Sequence, residues 1–466
     1  MLARMPMEIV DREREIEQLR EFASQPPALV VLRGRRRVGK SFLLRVALTG
    51  DRVISLQAEL QPRPLQLEAF ARECSRLIPG APPLDFHDWA TGLGFVEQQA
   101  RVGGPVVVIL DEFQYLAASD RGLESTIQRL WDRWDADAVP VMLVLCGSAL
   151  SFMAGLLGAD RPTYGRSVYR PLLLPLSFRD AAAFAPAGAS PVELIERFAV
   201  LGGTPQYQHW AGRRSLSEAI ANTILPTDAA LHSDPEHLVR AEAEIREPGP
   251  YFGALEAIAG GYATTTAIAS RLEIKQQLAD RFLSRLQELG YVIRVVPLEP
   301  TGRGTRRSHW RIGDPYFRFW FRYVLPNRSR LARGRITDVM QEIGRDLSTF
   351  VGSTFEDCCR DWVGRCSPLG EGALEVGSWW SRKHDVEIDV VTLDKSGYAL
   401  LGSCKWWSKK VGENVLDELY EARTALGPKA AQARFAIFSR SGFTTGLVRR
   451  AEREGVALVQ ATDLFD

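Results

Sequence analysis

Short runs of apolar residues alternate with amphipathic helical patterns along the first part of the chain. The runs Ala28–Leu32, Val106–Leu110 and Val141–Cys146 have the length of strands and are rich in β-branched residues. Strands that are apolar on both faces are typical of a parallel sheet that helices cover on each side. Because these strands alternate with helical segments, the sequence predicts an α/β architecture for this part.

A different order of elements begins near residue 250. Helices are predicted over Phe252–Ala259, Thr265–Leu272 and Gln276–Leu289. Two strand-like segments follow, Tyr291–Leu298 and Ser308–Ile312, around a turn rich in glycine and arginine. Three helices followed by a β-hairpin are the order of a winged helix-turn-helix.

The last part of the chain returns to alternating strands and helices. The predicted elements, in chain order, are the helix Ser353–Val363, the strands Glu387–Thr392 and Tyr398–Gly402, the helix Asn414–Leu426, the strand Arg434–Phe438, the helix Leu447–Glu454 and the strand Val456–Gln460. This order predicts a second α/β unit.

A glycine-rich loop lies directly after the first predicted strand. Gly34, Gly39, Lys40 and Ser41 fit the pattern GxxxxGK[ST], and the helix Ser41–Ala47 follows at once. Glycines at both ends let the backbone N–H groups turn toward phosphates at a positive helix terminus. We expect Lys40 to reach the β- and γ-phosphates of a nucleotide and Ser41 to ligate Mg²⁺. The predicted nucleotide-binding residues are Gly34, Arg35, Arg36, Arg37, Val38, Gly39, Lys40, Ser41, Phe42 and Asp111.

Two adjacent acids end the next apolar strand. Val106–Leu110 runs directly into Asp111 and Glu112, 71 residues after Lys40. Carboxylates at the end of a buried strand are costly unless a cation or a proton transfer uses them. We expect Asp111 to hold the Mg²⁺ shell and Glu112 to polarise the attacking water. Together with the loop, this pair predicts nucleotide binding and favours hydrolysis.

Further candidates follow the strand Val141–Cys146. Ser148 stands where a polar side chain can contact a γ-phosphate or the attacking water, although it can also be a simple helix cap. Arg166 is a candidate arginine finger that acts on the nucleotide of a neighbouring subunit, and Arg170 is a second, weaker candidate. The predicted catalytic residues are therefore Lys40, Glu112, Ser148 and Arg166.

These motifs resemble those of the archaeal-type P-loop ATPase family, which is related to the AAA+ and STAND ATPases. The likeness is carried by Asp11-Arg12-Glu13, the loop Gly34–Ser41, Asp111-Glu112-Phe113-Gln114, Gly147-Ser148, Pro175–Phe178, Gly202–Pro205 and Asp314–Trp320. The resemblance implies ATP rather than GTP, with Mg²⁺. We predict four domains: a P-loop ATPase core over residues 1–180, a helical lid over 181–245, a winged helix-turn-helix over 246–335 and an α/β restriction-endonuclease-like domain over 345–466.

The C-terminal domain resembles the PD-(D/E)xK nuclease fold as it occurs at the end of such ATPases. Glu356, Asp389 and Lys405 match the acids and the lysine of its motif, and Glu356 and Asp389 would hold Mg²⁺. Ser403 replaces the acid that the pattern has two residues before the lysine. Glu387 is the candidate substitute, because it shares a strand face with Asp389. An active nuclease and a fold kept for DNA binding or packing both stay open.

The overall charge is balanced, with 58 Lys and Arg against 57 Asp and Glu, which excludes a strongly polybasic chain. The balance is not local, because the stretch from Thr301 to Arg335 holds ten arginines and one acid, Asp314. Arginines beside a helix-turn-helix are well placed to contact phosphates, so double-stranded DNA is the predicted partner. The aromatic run Tyr316–Tyr323 is interpreted as packing core. The candidate DNA-binding residues are Gln276, Gln277, Arg281, Arg303, Arg306 and Arg307.

The six cysteines form no CxxC pair, which is typical of reduced thiols in a cytoplasmic protein. The apolar runs are too short for a membrane span, so no membrane partner is expected. The interpretation is a cytoplasmic, Mg²⁺-dependent ATPase that couples nucleotide state to DNA binding, with homo-oligomer formation left open. Two alternatives are an ATP-driven signalling switch that binds proteins and an ATP-regulated nuclease. A P-loop kinase of small molecules fits least, because it would not need the additional domains.

Overall fold

A computed structural model describes residues 9–159, 161, 163–242, 245, 247–300, 307–383 and 385–466. The chain divides into two compact units. The first unit extends to Pro175 and includes the short stretch at Glu242, and the second comprises Leu176–Ala241 and the chain from Glu247 to Asp466. The segment predicted as a lid therefore belongs to the same unit as the predicted winged helix and the C-terminal region.

The first unit is an α/β layer structure. Its elements are α1 (Glu13–Ser24), β1 (Ala28–Gly34), α2 (Lys40–Ala47), β2 (Val53–Gln57), α3 (Arg63–Cys74), α4 (Trp89–Gly103), β3 (Val106–Asp111), α5 (Phe113–Ser119), α6 (Leu123–Ala136), β4 (Val141–Gly147), α7 (Leu150–Gly155) and β5 (Leu172–Leu173).

The five strands of the first unit form a parallel sheet in the order β2-β3-β4-β1-β5. Successive residues of β1 face opposite layers of helices, since Leu29 and Val31 lie in one buried cluster and Val30 and Leu32 in the other. This burial on both faces is why the strands read as continuous apolar runs. The α/β class with a parallel sheet is confirmed.

The second unit contains the remaining elements. They are α8 (Phe178–Ala181), α9 (Pro191–Leu201), α10 (Pro205–Ala211), α11 (Leu216–Ala219), α12 (Asp234–Ala241), α13 (Pro248–Ala259), α14 (Thr265–Arg271), α15 (Gln276–Glu288), β6 (Val292–Val295), β7 (His309–Ile312), α16 (Pro315–Phe319), α17 (Arg328–Leu331), α18 (Ile336–Arg365), β8 (Glu375–Trp380), β9 (Glu387–Leu393), β10 (Tyr398–Lys405), α19 (Asn414–Leu426), β11 (Arg434–Ser439), α20 (Thr445–Glu454) and β12 (Ala457–Gln460).

Two sheets organise this unit. Strands β6 and β7 form an antiparallel hairpin after α13, α14 and α15. The larger sheet has the order β12-β11-β10-β9-β8, with β8 and β9 antiparallel to their neighbours and β10 to β12 parallel. Its two faces pack into separate clusters, so that Leu401 and Ile437 face α19 while Leu400 and Phe438 face α18.

Two features of the second unit differ from the sequence prediction. Helix α18 has 30 residues, whereas only its part Ser353–Val363 was predicted. Strand β8 was not predicted, because its sequence EVGSWW lacks a clear alternation. None of the helices in the described ranges is both long and apolar enough to cross a membrane.

Candidate functional site

The phosphate loop connects the end of β1 to the start of α2. Gly39 precedes the helix with φ +95°, a left-handed conformation that L side chains rarely adopt, and a Cβ there would meet nothing within 4 Å. Gly34 is needed for a different reason, since a Cβ at this position would lie 2.7 Å from the carbonyl oxygen of Leu173. Both glycines of the motif thus have a local steric explanation.

Lys40 points back into this loop. Its Nζ donates hydrogen bonds to the carbonyl oxygens of Gly34 at 2.8 Å and Arg35 at 3.1 Å. Lys40 is buried, and its ammonium group lies among the backbone groups of the phosphate loop. A buried cation that backbone carbonyl oxygens hold is well suited to bind an anionic ligand.

The other predicted loop residues divide between loop and core. The side chain of Val38 packs in the core beneath the loop, and Phe42 lies half-buried with the Arg45 guanidinium 5.9 Å from its ring centre. Arg37 adopts a positive φ of 69°. Arg36 donates a 2.7 Å hydrogen bond to the Tyr115 hydroxyl and so connects the loop to α5.

The strand order brings the end of β3 beside this loop. The Ser41 hydroxyl donates a 2.5 Å hydrogen bond to Oδ2 of Asp111, and Oδ1 of Asp111 accepts the backbone N–H of Glu112 at 2.9 Å. A hydroxyl and a carboxylate are hard oxygen donors that suit Mg²⁺, which takes its other ligands from phosphate and water. The residues present therefore fit a Mg²⁺–nucleotide complex.

Glu112 is held at the end of β3 in a left-handed conformation, with φ +53°. Its Oε2 accepts hydrogen bonds from the Ser148 hydroxyl at 2.7 Å and the Ser148 backbone N–H at 3.2 Å. Because strand β4 lies between β1 and β3, Ser148, just after the end of β4, lies beside the Glu112 carboxylate. The structure brings Lys40, Ser41, Asp111, Glu112 and Ser148 to one edge of the sheet.

Two contributors to this site were not among the predicted site residues. Nε2 of Gln114 donates a 2.5 Å hydrogen bond to Oε2 of Glu112, and Tyr115 accepts the bond from Arg36. Gln114 stands in the motif that follows β3, so its position was visible in the sequence. Its contact was not, because it depends on how α5 turns after Glu112.

The two arginines proposed as fingers are engaged within their own chain. The Arg166 guanidinium donates to both carboxylate oxygens of Asp132, Nε at 2.5 Å and a terminal nitrogen at 2.9 Å. Arg170 donates to the carbonyl oxygen of Ser167 at 3.1 and 3.0 Å. Asp132 is exposed and Arg166 is half-buried, so the pair is only weakly stabilised and a stronger anion can compete for Arg166.

The predicted nuclease residues surround two adjoining clefts in the second unit. Glu356 of α18 and Asp389 of β9 line both clefts, which have volumes of about 460 and 560 Å³. Lys405 lines the larger cleft and lies 3.5 Å from the carboxylate of Glu418, while Glu387 lines the smaller one. The structure thus brings Glu356, Asp389 and Lys405 to one cleft.

The two carboxyl groups affect each other's protonation. Burial, and then the neighbouring carboxylate of Asp389, raise the pKa of Glu356 to about 7, and burial raises the pKa of Asp389. Asp389 accepts the backbone N–H of Cys404 at 2.7 Å, and the Ser403 hydroxyl lies 3.4 Å away. Within the described ranges, no three His, Cys, Asp or Glu side chains come together as a metal site.

The candidate DNA-binding residues lie in two places. Gln276, Gln277 and Arg281 are exposed on α15. Arg307 pairs with the carboxylate of Glu299, and Arg303 and Arg306 lie outside the described residues.

In its described part, from residue 307 onward, the arginine-rich stretch does not form the open basic surface that the sequence suggests. Of its eight described arginines, seven pair with carboxylates of the second unit: Arg307 with Glu299, Arg311 and Arg318 with Asp357, Arg322 with Asp346, Arg328 with Glu236, Arg330 with Glu342, and Arg335 with Asp338. Much of the local excess of +9 is therefore neutralised by nearby acids and by distant ones such as Glu236 and Asp357. The aromatic run is buried, as expected for core.

Comparison with known proteins gives similarity to uncharacterised sequences and to P-loop structures. A family described as "Archaea bacterial proteins of unknown function" matches residues 320–415. An uncharacterised protein of Methanocaldococcus jannaschii is 27% identical over 442 residues, which cover 92% of this chain and 95% of that protein. A second uncharacterised protein of the same organism is 50% identical over 44 residues, 9% of this chain and 42% of that protein.

Two similar solved structures come from archaea. The Walker-type ATPase of Pyrococcus abyssi is 21% identical, with 67% of this chain and 96% of that chain covered and a TM-score of 0.49. The ORC2 protein of Aeropyrum pernix, solved as ADPNP-ADP complexes, is 17% identical, with 73% and 97% covered and a TM-score of 0.44.

Proposed function

We propose that the first unit binds ATP with Mg²⁺ and hydrolyses it. The observation that carries this proposal is the convergence of three strand ends: the loop after β1, Asp111 and Glu112 after β3, and Ser148 after β4. Ligand sites of open α/β sheets lie at the carboxyl ends of their strands. The choice of ATP over GTP rests on the family resemblance of the motifs.

Each polar residue has a role in this proposal. The N–H groups of the loop and the Lys40 ammonium bind the phosphates, and Ser41 and Asp111 hold Mg²⁺, which neutralises charge on the transferred phosphoryl group. Glu112 orients the attacking water and accepts its proton, while Ser148 fixes the carboxylate. In this proposal Glu112 acts on the attacking water and the loop binds the phosphates. Loss of Glu112 is therefore expected to affect turnover more than binding.

The direct test compares nucleotide binding and phosphate release in wild-type protein and in Glu112→Gln. The proposal predicts that the variant binds ATP as tightly as the wild type but releases phosphate at a rate at least ~100-fold lower. A variant with wild-type turnover would remove Glu112 from this role. Competition with GTP in the same binding assay tests the choice of base.

A second proposed activity is binding of double-stranded DNA by the second unit. It is supported by the exposed face of α15, where Gln276, Gln277 and Arg281 are open to a partner after two shorter helices and before the hairpin. The pairing of the neighbouring arginines makes the expected electrostatic contribution smaller than the sequence suggests.

Binding of random duplex DNA at low and high salt tests this activity. We expect salt-sensitive binding that weakens in a Gln277→Ala/Arg281→Ala variant, together with faster ATP hydrolysis when DNA is present. Absence of salt-sensitive binding would favour the alternative of a switch that contacts protein partners.

Nuclease activity is the third proposal, supported by the shared cleft of Glu356, Asp389 and Lys405. It predicts Mg²⁺-dependent nicking of DNA by the wild-type protein that disappears in Asp389→Ala. If neither protein nicks DNA, the domain is a binding or packing module, which is consistent with Ser403 in place of an acid.

A further inference from the structure

Gln114 is a buried polar side chain next to the proposed general base. It lies in the first turn of α5, only 6% exposed, two residues after Glu112. Its Nε2 donates to Oε2 of Glu112 at 2.5 Å and lies 3.4 Å from the Ser148 hydroxyl oxygen. Only the nitrogen of the amide can face the carboxylate in this way, because two acceptor oxygens would repel each other.

The hydrogen bonds to Glu112 are distributed unevenly over its two oxygens. Oε2 accepts from Gln114 and twice from Ser148. Oε2 is held by Gln114 in α5 and by Ser148 after β4, which fixes the orientation of the carboxylate. The second oxygen, Oε1, is then the one that can accept a proton from water. A base held in one geometry reacts faster than one that samples many.

Gly147, at the end of β4, lies against the side-chain amide of Gln114. A Cβ on Gly147 would lie 2.6 Å from Oε1 of Gln114 and 2.6 Å from the sulfur of Met153. Any side chain at this position would therefore push the amide or Met153 out of place. The glycine at the end of β4 is explained by the presence of Gln114 and Met153 rather than by a left-handed turn.

We propose that Gln114 is a positioning residue for Glu112: its amide holds one carboxylate oxygen so that the other faces the attacking water. The proposal rests on ATP hydrolysis at this site. The described contacts of the Gln114 amide are with Glu112 and Ser148, so its effect on hydrolysis passes through Glu112. Loss of the Gln114 amide should consequently lower the rate of the hydrolytic step and leave nucleotide affinity unchanged.

The alternative is that Gln114 only fills its buried position and stabilises the fold. Gln114→Met separates the two roles, because methionine has a similar length and volume but cannot donate a hydrogen bond. A packing role predicts near-normal turnover in this variant. A positioning role predicts that kcat falls by about 10- to 100-fold, as for other residues that orient a functional group, with KM and nucleotide affinity within about twofold of wild type.

Gly147→Ala provides a second, independent perturbation. Its methyl group occupies the space of the Gln114 amide, so kcat should fall as in Gln114→Met. The Gln114→Met/Gly147→Ala double variant should then be about as slow as the slower single variant, since both changes break the same contact. The matched control is Gln98→Met, an exposed glutamine of α4 in the same unit, which should leave kcat and the unfolding midpoint unchanged.

The experiment measures steady-state hydrolysis, nucleotide affinity and the thermal unfolding midpoint for these proteins. A selective fall in kcat for Gln114→Met supports the assignment. Wild-type kcat in Gln114→Met, or a rise in KM with unchanged kcat, would overturn it while leaving ATP hydrolysis in place. Absence of hydrolysis by the wild-type protein would overturn the proposed function, and the assignment of Gln114 with it.

Discussion

The hydroxyl of Ser41 donates a 2.5 Å hydrogen bond to the carboxylate of Asp111, although the two residues are 70 positions apart in the chain. One residue begins the helix after β1, and the other ends β3. Hydroxyl and carboxylate oxygens are hard ligands, so Ser41 and Asp111 are the residues that would hold a Mg²⁺ ion at this site. The relationship connects the two halves of the proposed nucleotide site.

The first prediction concerns this pair. Ser41→Ala removes one of the two protein oxygens proposed for Mg²⁺ and should raise the Mg²⁺ concentration needed for half-maximal hydrolysis by about tenfold. A Mg²⁺ titration at constant ATP measures the effect. Ser119→Ala, at the far end of α5, is the control. An unchanged Mg²⁺ requirement in Ser41→Ala would exclude the hydroxyl as a ligand.

The second prediction concerns Arg166 and its partner Asp132. If Arg166 completes the site of a neighbouring protomer, turnover per protomer should rise with wild-type concentration, and Arg166→Ala should lose this rise. Asp132→Ala should keep it, because that change only releases the arginine. Turnover that is independent of concentration in all three proteins would argue against a finger acting between subunits.

The third prediction concerns a structural carboxylate in the first unit. Burial alone would raise the pKa of Glu97, but hydrogen bonds from Trp134, Arg133 and Arg101 lower it. Because the folded state then favours the charged form, Glu97 stabilises the fold at neutral pH. This contribution is present above the pKa of an ordinary glutamate, about 4.3. It is lost as the pH falls below that pKa and then through the lower pKa of Glu97 in the folded state.

Glu97→Gln should therefore lower the free energy of unfolding by about 1 kcal/mol at pH 7, a modest value because the two arginines are partly exposed. Denaturant unfolding at pH 7 and at about pH 3.5 measures the difference between the two proteins. The difference should shrink at the lower pH. An equal difference at both values would contradict the assigned charge state.

The fourth prediction concerns Asp357, a half-buried carboxylate that pairs with Arg311, Arg318 and Arg360. Burial alone would raise its pKa, but the three guanidinium groups lower it well below the usual range. Asp357→Ala leaves these cations without their common partner and should cost about 2–3 kcal/mol of the second unit's stability, less than for a fully buried ion pair because the carboxylate is partly exposed. A loss below ~1 kcal/mol in denaturant unfolding would show that the arginines find other partners.

The nucleotide site was more predictable from the sequence than the rest of the molecule. The loop from Gly34 to Ser41 and the acids after β3 are local patterns with a direct physical meaning, so they could be identified without the fold. The contact of Ser148 with Glu112 depends on β4 lying between β1 and β3, and no local pattern encodes that order. The contact of Gln114 with Glu112 was missed for a different reason, since it depends on how α5 turns after Glu112.

In the second unit, by contrast, the charge of the surface was not predictable from local sequence patterns. The ten arginines between Thr301 and Arg335 suggested a basic surface, but seven of the eight described ones pair with Glu299 or with carboxylates of α12 and α18, most of them at separations that sequence patterns do not reveal. Local charge counts therefore overestimated the free charge. The helices and strands themselves were largely predictable, with α19 matching its expected bounds, Asn414–Leu426.

Phosphate release from ATP by wild-type protein and by Lys40→Ala, each with Mg²⁺, tests the central claim most directly. Lys40 is buried in the phosphate loop and hydrogen-bonded to the carbonyl oxygens of Gly34 and Arg35. We predict Mg²⁺-dependent release by the wild type and background release by a folded Lys40→Ala protein. Equal release by both proteins, or none by a folded wild type with duplex DNA present or absent, would contradict the account.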